Sequence, residues 1–269
     1  MKPIYTLLTL IGIYVLSHAA GLYVGVDLIG FFSESKNAEF LTFGNPDDIA
    51  VSAQLFLGIL VLTVIILLLI DYKMNFLIKF LMTIAAASGL VITLHSFIGW
   101  EFAVLFTFAI IFLNFKLNND HFNNLTLILV IGGIGAYIGS NIRVIPCIVF
   151  LILLAVYDLI AVYGTKHMIT LAEEGDGSFT FMLIIPFGKD EIEIGTGDFI
   201  VPVIFSVTLL VTSGYGLTYA IAAAFGGLIG LVALFIHAIG KEHLAFPALP
   251  PITAGLLLGF AVASYLPGF

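Results

Sequence analysis

Apolar side chains in this chain come in long runs broken by short polar stretches. A helix needs about 20 apolar residues to cross a bilayer. On that criterion the pattern predicts about nine spanning helices, near residues 4–24, 49–70, 76–98, 101–115, 125–140, 145–169, 197–212, 217–239 and 250–266. The fourth, fifth and seventh runs are the short ones. One break is larger, from 170 to 196. It opens with Glu173-Glu174-Gly175-Asp176-Gly177-Ser178 and continues as a β-prone run, 179–187. Gly188-Lys189-Asp190 reads as a turn, and Glu191-Ile192-Glu193-Ile194 alternates with period two. Together these predict a short β-hairpin between the sixth and seventh helices. The expected fold class is therefore an all-α polytopic membrane protein carrying one small hairpin.

Composition sharpens this picture. Hydrophobic residues make up 61% and charged residues 10% of the 269 positions, and mean hydropathy is +1.19. A soluble domain this apolar could not cover its surface with polar groups. The first twenty residues imitate a signal peptide, with Lys2, an apolar run and Ser17-His18-Ala19-Ala20; the many later spans make a first transmembrane helix the simpler account. Cys147 is the sole cysteine, so an intramolecular disulfide is excluded. No basic tract suggests nucleic-acid binding. No histidine or cysteine cluster has metal-ligand spacing, since His95 and His237 stand apart near span ends, so neither a metal nor another cofactor is expected.

Net charge is −8, but the placement of charge matters more than its sum. With the N-terminus in the cytoplasm, Lys2, Lys73, Lys79, Lys116, Lys166, Lys189 and Lys241 all fall on the cytoplasmic side, against Lys36 and Arg143 outside. That is a clear positive-inside bias. It places the C-terminus outside and the 170–196 break in the cytoplasm, as expected of a multi-pass protein of the cell membrane. The first outer loop is acidic, with Asp27, Glu34, Glu39, Asp47 and Asp48, and reads as solvated. Trp100-Glu101 reads as an outer interfacial anchor. Small-xxx-small spacing at Gly135–Gly139 and Gly226–Gly230 predicts close helix packing within the bundle.

Two charges break the pattern. Asp158 lies in the apolar sixth run, eight residues before Lys166, about 12 Å of helix from the cytoplasmic edge. Asp198 follows Gly195-Thr196-Gly197 at the cytoplasmic start of the seventh. A carboxylate at membrane depth is costly unless paired or wet, and so points to function. Antiparallel neighbours would bring both to one side, where they could meet across a helix pair. A third element, Phe246-Pro247-Ala248-Leu249-Pro250-Pro251, opens the last span. Its prolines either start a helix or leave unpaired backbone able to hold an extended peptide.

Tyr157-Asp158, Gly195-Thr196-Gly197-Asp198 and Pro247-Ala248-Leu249 follow the order and placement of the Tyr-Asp, Gly-x-Gly-Asp and Pro-Ala-Leu motifs of the presenilin and signal-peptide-peptidase family. The whole topology resembles that family, most strongly over 146–266. The inferred orientation is similar to presenilin and inverted relative to signal peptide peptidases, and the compact chain resembles an archaeal presenilin homologue. Thr196 stands where the family usually carries Leu, a departure that bears on substrate preference. Prepilin peptidases share Gly-x-Gly-Asp, but the rest of their pattern is not matched.

The resemblance implies an intramembrane aspartic endopeptidase acting on transmembrane helical peptides. Asp158 and Asp198 would be catalytic. Tyr157, Gly195, Thr196, Gly197, Pro247, Ala248 and Leu249 would contact substrate, and the hairpin would hold its unwound stretch. A scaffold (residues 1–140) and a catalytic region (141–269) are expected within one integral unit. Peptide hydrolysis by two carboxylates requires one protonated and one ionised; which Asp plays which part stays open, as do formation of a homo-oligomer and cleavage within the 170–196 loop. The main alternative is a transporter or leak channel using the same aspartates, which an inverted repeat would favour; none is evident.

Overall fold

A computed structural model of the chain describes residues 3–34, 45–165, 181–187, 190–239 and 246–265. Among them are nine α-helices: α1 (Pro3–Glu34), α2 (Ile49–Asp71), α3 (Asn75–Ile98), α4 (Trp100–Leu117), α5 (Asp120–Ser140), α6 (Val144–Ile160), α7 (Gly197–Val211), α8 (Leu217–Ala238) and α9 (Leu249–Tyr265). A two-stranded antiparallel hairpin, β1 (Met182–Phe187) and β2 (Asp190–Gly195), lies between α6 and α7. Seven helices are long and apolar enough to cross a membrane; α7 and α9 are shorter. The predicted class, a polytopic helical membrane protein with one hairpin, is the class observed.

Several boundaries differ from the expectation. α1 runs to Glu34 instead of ending near residue 24, so Asp27 sits exposed on a helix and not in a loop. α5 starts at Asp120, five residues earlier than hydropathy indicated. The Asn119 side chain accepts from the Phe122 amide, so a polar cap and not the apolar run sets that start. α6 ends at Ile160 and continues as a π-helical turn, Ala161–Thr165. Lys166, His167 and the rest of the 166–180 segment, the hairpin tip Gly188-Lys189, and Lys2, Lys36, Glu39 and Lys241 lie outside the described residues.

α7 is the centre of the bundle. Residues 199 and 201–209 are all buried, so its apolar character all round reflects burial in protein and not contact with lipid. α1, α5, α6, α8 and α9 pack around it. α1 offers one helical stripe to this core, Leu10, Ile13, Tyr14, Ser17, His18, Gly21, Val24, Gly25 and Leu28. α2 behaves in the opposite way. It is buried only at Val51, Ser52 and Ile70 and bristles elsewhere with exposed Leu, Val and Ile, the composition of a lipid-facing helix.

Glycine sets the helix spacings. Gly21 and Gly25 of α1, and Gly135 and Gly139 of α5, face Val203 and Val207 of α7. Between α8 and α9 the approach is tighter still. A methyl group at Gly226 would overlap the Gly255 carbonyl, and one at Gly230 the Pro251 carbonyl. Both small-xxx-small pairs therefore serve packing inside the bundle.

Gly226→Leu should force α8 and α9 apart. Overpacking costs about 1–3 kcal/mol, and more where the obstacle is backbone. Cys147 is free and fully buried, so a thiol-reactive dye would report unfolding. The expected result is a clear drop in the melting temperature of the detergent-solubilised variant, whereas Gly58→Leu, at a position with open space around it, should melt like the parent.

Candidate active site

The site forms where α6, α7 and the start of α9 converge under the hairpin. Asp158 is buried, one turn before α6 changes to π geometry; the Ala161 amide bonds to the carbonyls of both Asp158 and Tyr157. π-turns recur at functional positions, and nothing in the residues 161–165 signals this one. Asp198 lies in the first turn of α7, where the helix dipole favours an anionic side chain. It is half-buried, with Oδ2 beside Gly195. The two carboxylates are near enough to interact electrostatically.

The third motif reaches the same place. The Leu249 amide donates to Asp158 Oδ2 at 3.0 Å, and the Ala248 amide also interacts with that carboxylate. The first four amides of a helix have no intrahelical partner. In α9 two of these positions are Pro250 and Pro251, which have no N–H, and Ile252 donates to the Ala248 carbonyl. Leu249 is the remaining first-turn donor, and Asp158 takes it. The prolines therefore initiate the helix and strip its first turn of competing donors. Pro247 leads into this turn, with Ala248 and Leu249 buried.

Thr196, the residue that departs from the family pattern, is buried. Its hydroxyl donates to the Phe181 carbonyl at 3.2 Å, and its amide points to the same oxygen at 3.4 Å. It fastens the end of β2 to the entrance of β1. Gly197 has open space around it. Tyr157 is half-buried and packs edge-on against Phe56 of α2 at 6.2 Å.

Among the described residues, the hairpin is held along the edge of β1. In β1 the Ile184 amide donates to Asn124 Oδ1 at 3.0 Å, and Asn124 Nδ2 donates back to the Ile184 carbonyl at 2.6 Å. The Asn124 side chain thus stands in for a neighbouring strand. Asn123 Nδ2 donates to the Met182 carbonyl, and Thr6 of α1 to the Pro186 carbonyl. Pro186 has no N–H to lose on this edge. Leu183 and Ile185 point into the helical core. Sequence reading missed Thr6, Asn123 and Asn124, since single polar residues in apolar runs resemble ordinary helix-surface positions. No described element pairs with the outer edge of β2.

Tyr14 and His18 were also missed. Their rings stack at 4.1 Å, and Tyr14 lies 6.2 Å from Phe199, the neighbour of Asp198. The Tyr14 hydroxyl donates to the Ala224 carbonyl of α8. They buttress α7 from behind. Among the described residues no group of His, Cys, Asp and Glu side chains could hold a metal ion.

Comparison with known proteins agrees with this architecture. The family described as signal-peptide peptidase, presenilin aspartyl protease matches residues 11–191. The match includes Asp158 and stops short of Asp198. Two solved structures of presenilin family intramembrane aspartate proteases share the fold. One, in a C222 space group, has a TM-score of 0.70 at 21% identity, covering 98% of this chain and 99% of that one. The other, in a P2 space group, has a TM-score of 0.63 at 25% identity, covering 94% and 96%. No curated protein sequence matches. A polytopic helical bundle with this fold is that of the intramembrane aspartate proteases, and the chain belongs to the signal-peptide peptidase and presenilin family of aspartyl proteases.

Asn124→Leu would leave the Ile184 amide and carbonyl without partners. Each unsatisfied group costs about 1–3 kcal/mol. The expected outcome is accelerated hydrogen exchange at Ile184 and its β-hairpin neighbours, with exchange in α7 little changed.

Proposed function

We propose that Asp158 and Asp198 are the catalytic dyad of an intramembrane endopeptidase that hydrolyses peptide bonds of transmembrane helices. The observation that carries this reading is a pair of carboxylates on neighbouring helices, near enough to interact electrostatically, one of which accepts from the Leu249 amide. One carboxylate takes a proton from water, which attacks the scissile carbonyl. The other gives a proton toward the carbonyl oxygen and the leaving amine. Oδ2 of Asp158 accepts a hydrogen bond from the Leu249 amide, which orients that carboxylate.

A helical substrate hides its backbone, so cleavage requires local unwinding. The open edge of β2 supplies amides and carbonyls to an unwound stretch and leads directly through Gly195, Thr196 and Gly197 to Asp198. A guest strand there would satisfy its own backbone as it leaves helical geometry. In this reading Tyr157 and the Pro247–Leu249 turn line the substrate path. Residues 1–140 act as scaffold and 141–269 as the catalytic region, with the N-terminus and hairpin cytoplasmic and the C-terminus outside, as the lysine distribution favours.

Asp158→Asn and Asp198→Asn each preserve side-chain shape, and asparagine at 158 can still accept from Leu249. Each variant should lose cleavage of a labelled transmembrane peptide by at least about 10³-fold, with melting close to the parent. Retained turnover in either would remove that residue from the dyad. A transition-state analogue of aspartic proteolysis should bind the parent and neither variant. Binding of that analogue separates protease from transporter.

Replacing residues 182–195 by a flexible linker should abolish proteolysis while the helices remain folded by circular dichroism. Unchanged turnover would exclude strand addition as the mode of substrate binding.

A further inference from the structure

The open edge of β2 has a chemical character that its role as a plain acceptor of backbone does not require. The strands pair Leu183 with Ile194, Ile184 with Glu193, Ile185 with Ile192 and Pro186 with Glu191. Backbone polar groups alternate in direction along an antiparallel strand. Ile184 sends its amide and carbonyl outward to Asn124, so its partner Glu193 must send its own outward on the opposite edge. The same alternation turns Glu191 and Gly195 outward. Side chains alternate too. Ile192 and Ile194 pack against the apolar core, while Glu191 and Glu193 are exposed on the other face. Their cross-strand neighbours, Pro186 and Ile184, are uncharged. Thus the residues whose backbone would receive a guest strand are the same residues that present exposed carboxylates beside it.

Resting on the proteolytic reading above, we propose that Glu191 and Glu193 are specificity residues that select substrates with basic side chains two residues apart, on the cytoplasmic flank of the cleaved bond. The occupant is the juxtamembrane segment of a transmembrane substrate. Such segments are rich in Lys and Arg on the cytoplasmic side. A substrate with its N-terminus outside leaves the dyad toward the cytoplasm and runs from Gly195 toward Glu191, antiparallel to β2. Its side chains opposite Glu193 and Glu191 share their face. A residue shifted by one position faces Ile192 and Ile194 instead. Opposite charges directly across a strand pair attract and like charges repel.

The test uses the full chain in detergent and one transmembrane peptide with a neutral cytoplasmic flank. A lysine pair spaced i, i+2, or a glutamate pair in the same places, is walked along that flank one residue at a time. The readout is the ratio of kcat/KM for lysine over glutamate substrates on one enzyme, so a general loss of activity cancels. In the parent the ratio should reach about tenfold at the best register, from two cross-strand charge pairs. It should rise and fall with a period of two as the pair is moved. It should approach one in Glu191→Gln/Glu193→Gln and invert in Glu191→Lys/Glu193→Lys.

A ratio near one in the parent, a ratio that survives both double substitutions, or one with no two-residue period would overturn the proposal while leaving the protease intact. Loss of every cleavage in both variants would give the glutamates a structural role and also overturn it. If the parent cleaves none of the peptides, the proteolytic reading itself fails and this selectivity fails with it.

Discussion

A buried amide or carbonyl without a partner is costly, and the region around Asp158 and Asp198 contains much backbone that helices leave unpaired. Around that constraint the site is organised. Asn124 closes the outer edge of β1, Asn123 and Thr6 take two more of its carbonyls or flank them, and Thr196 ties the strand ends together. At the start of α9, proline removes donors that would otherwise need partners, and Asp158 receives the one at Leu249. Among the described elements, none pairs with the outer edge of β2, whose end leads into the turn that carries Asp198.

Glycine makes this closure possible at a distance. The α1–α5–α7 cluster and the α8–α9 pair bring backbones together with little side chain between them. α7, only 15 residues long, need not match the thickness of lipid because protein surrounds it. Its first turn can then sit within the apolar interior and carry Asp198 there. The positions of the two carboxylates thus depend on residues such as Gly135 and Gly139, which touch neither of them.

Much of this was legible before any coordinates. Asp158 and Asp198 were conspicuous because charge in an apolar run is costly, and hydropathy marked every helix. The hairpin was readable from the alternation at 191–194. Polar anchors were not, because Thr6, Asn123 and Asn124 gain meaning only from a strand more than fifty residues away in the chain. The π-turn after Asp158 left no mark either; Ala161–Thr165 is unremarkable in composition, and its geometry follows from tertiary packing. At Pro250 and Pro251 the sequence left two outcomes open, and the bond from Leu249 to Asp158 shows that a helix start can also serve a side chain on another helix.

The separations along the chain carry a consequence for biosynthesis. Thr6 meets Pro186 across 180 residues, and Leu249 meets Asp158 across 91. Helices inserted one after another as the ribosome advances cannot complete the second of these contacts until α9 has been made. The half-built protein would carry both aspartates but lack the amide that orients one of them. The surroundings of Asp158 are therefore completed only by the last helix to be made, a contact between the two ends of the second half of the chain.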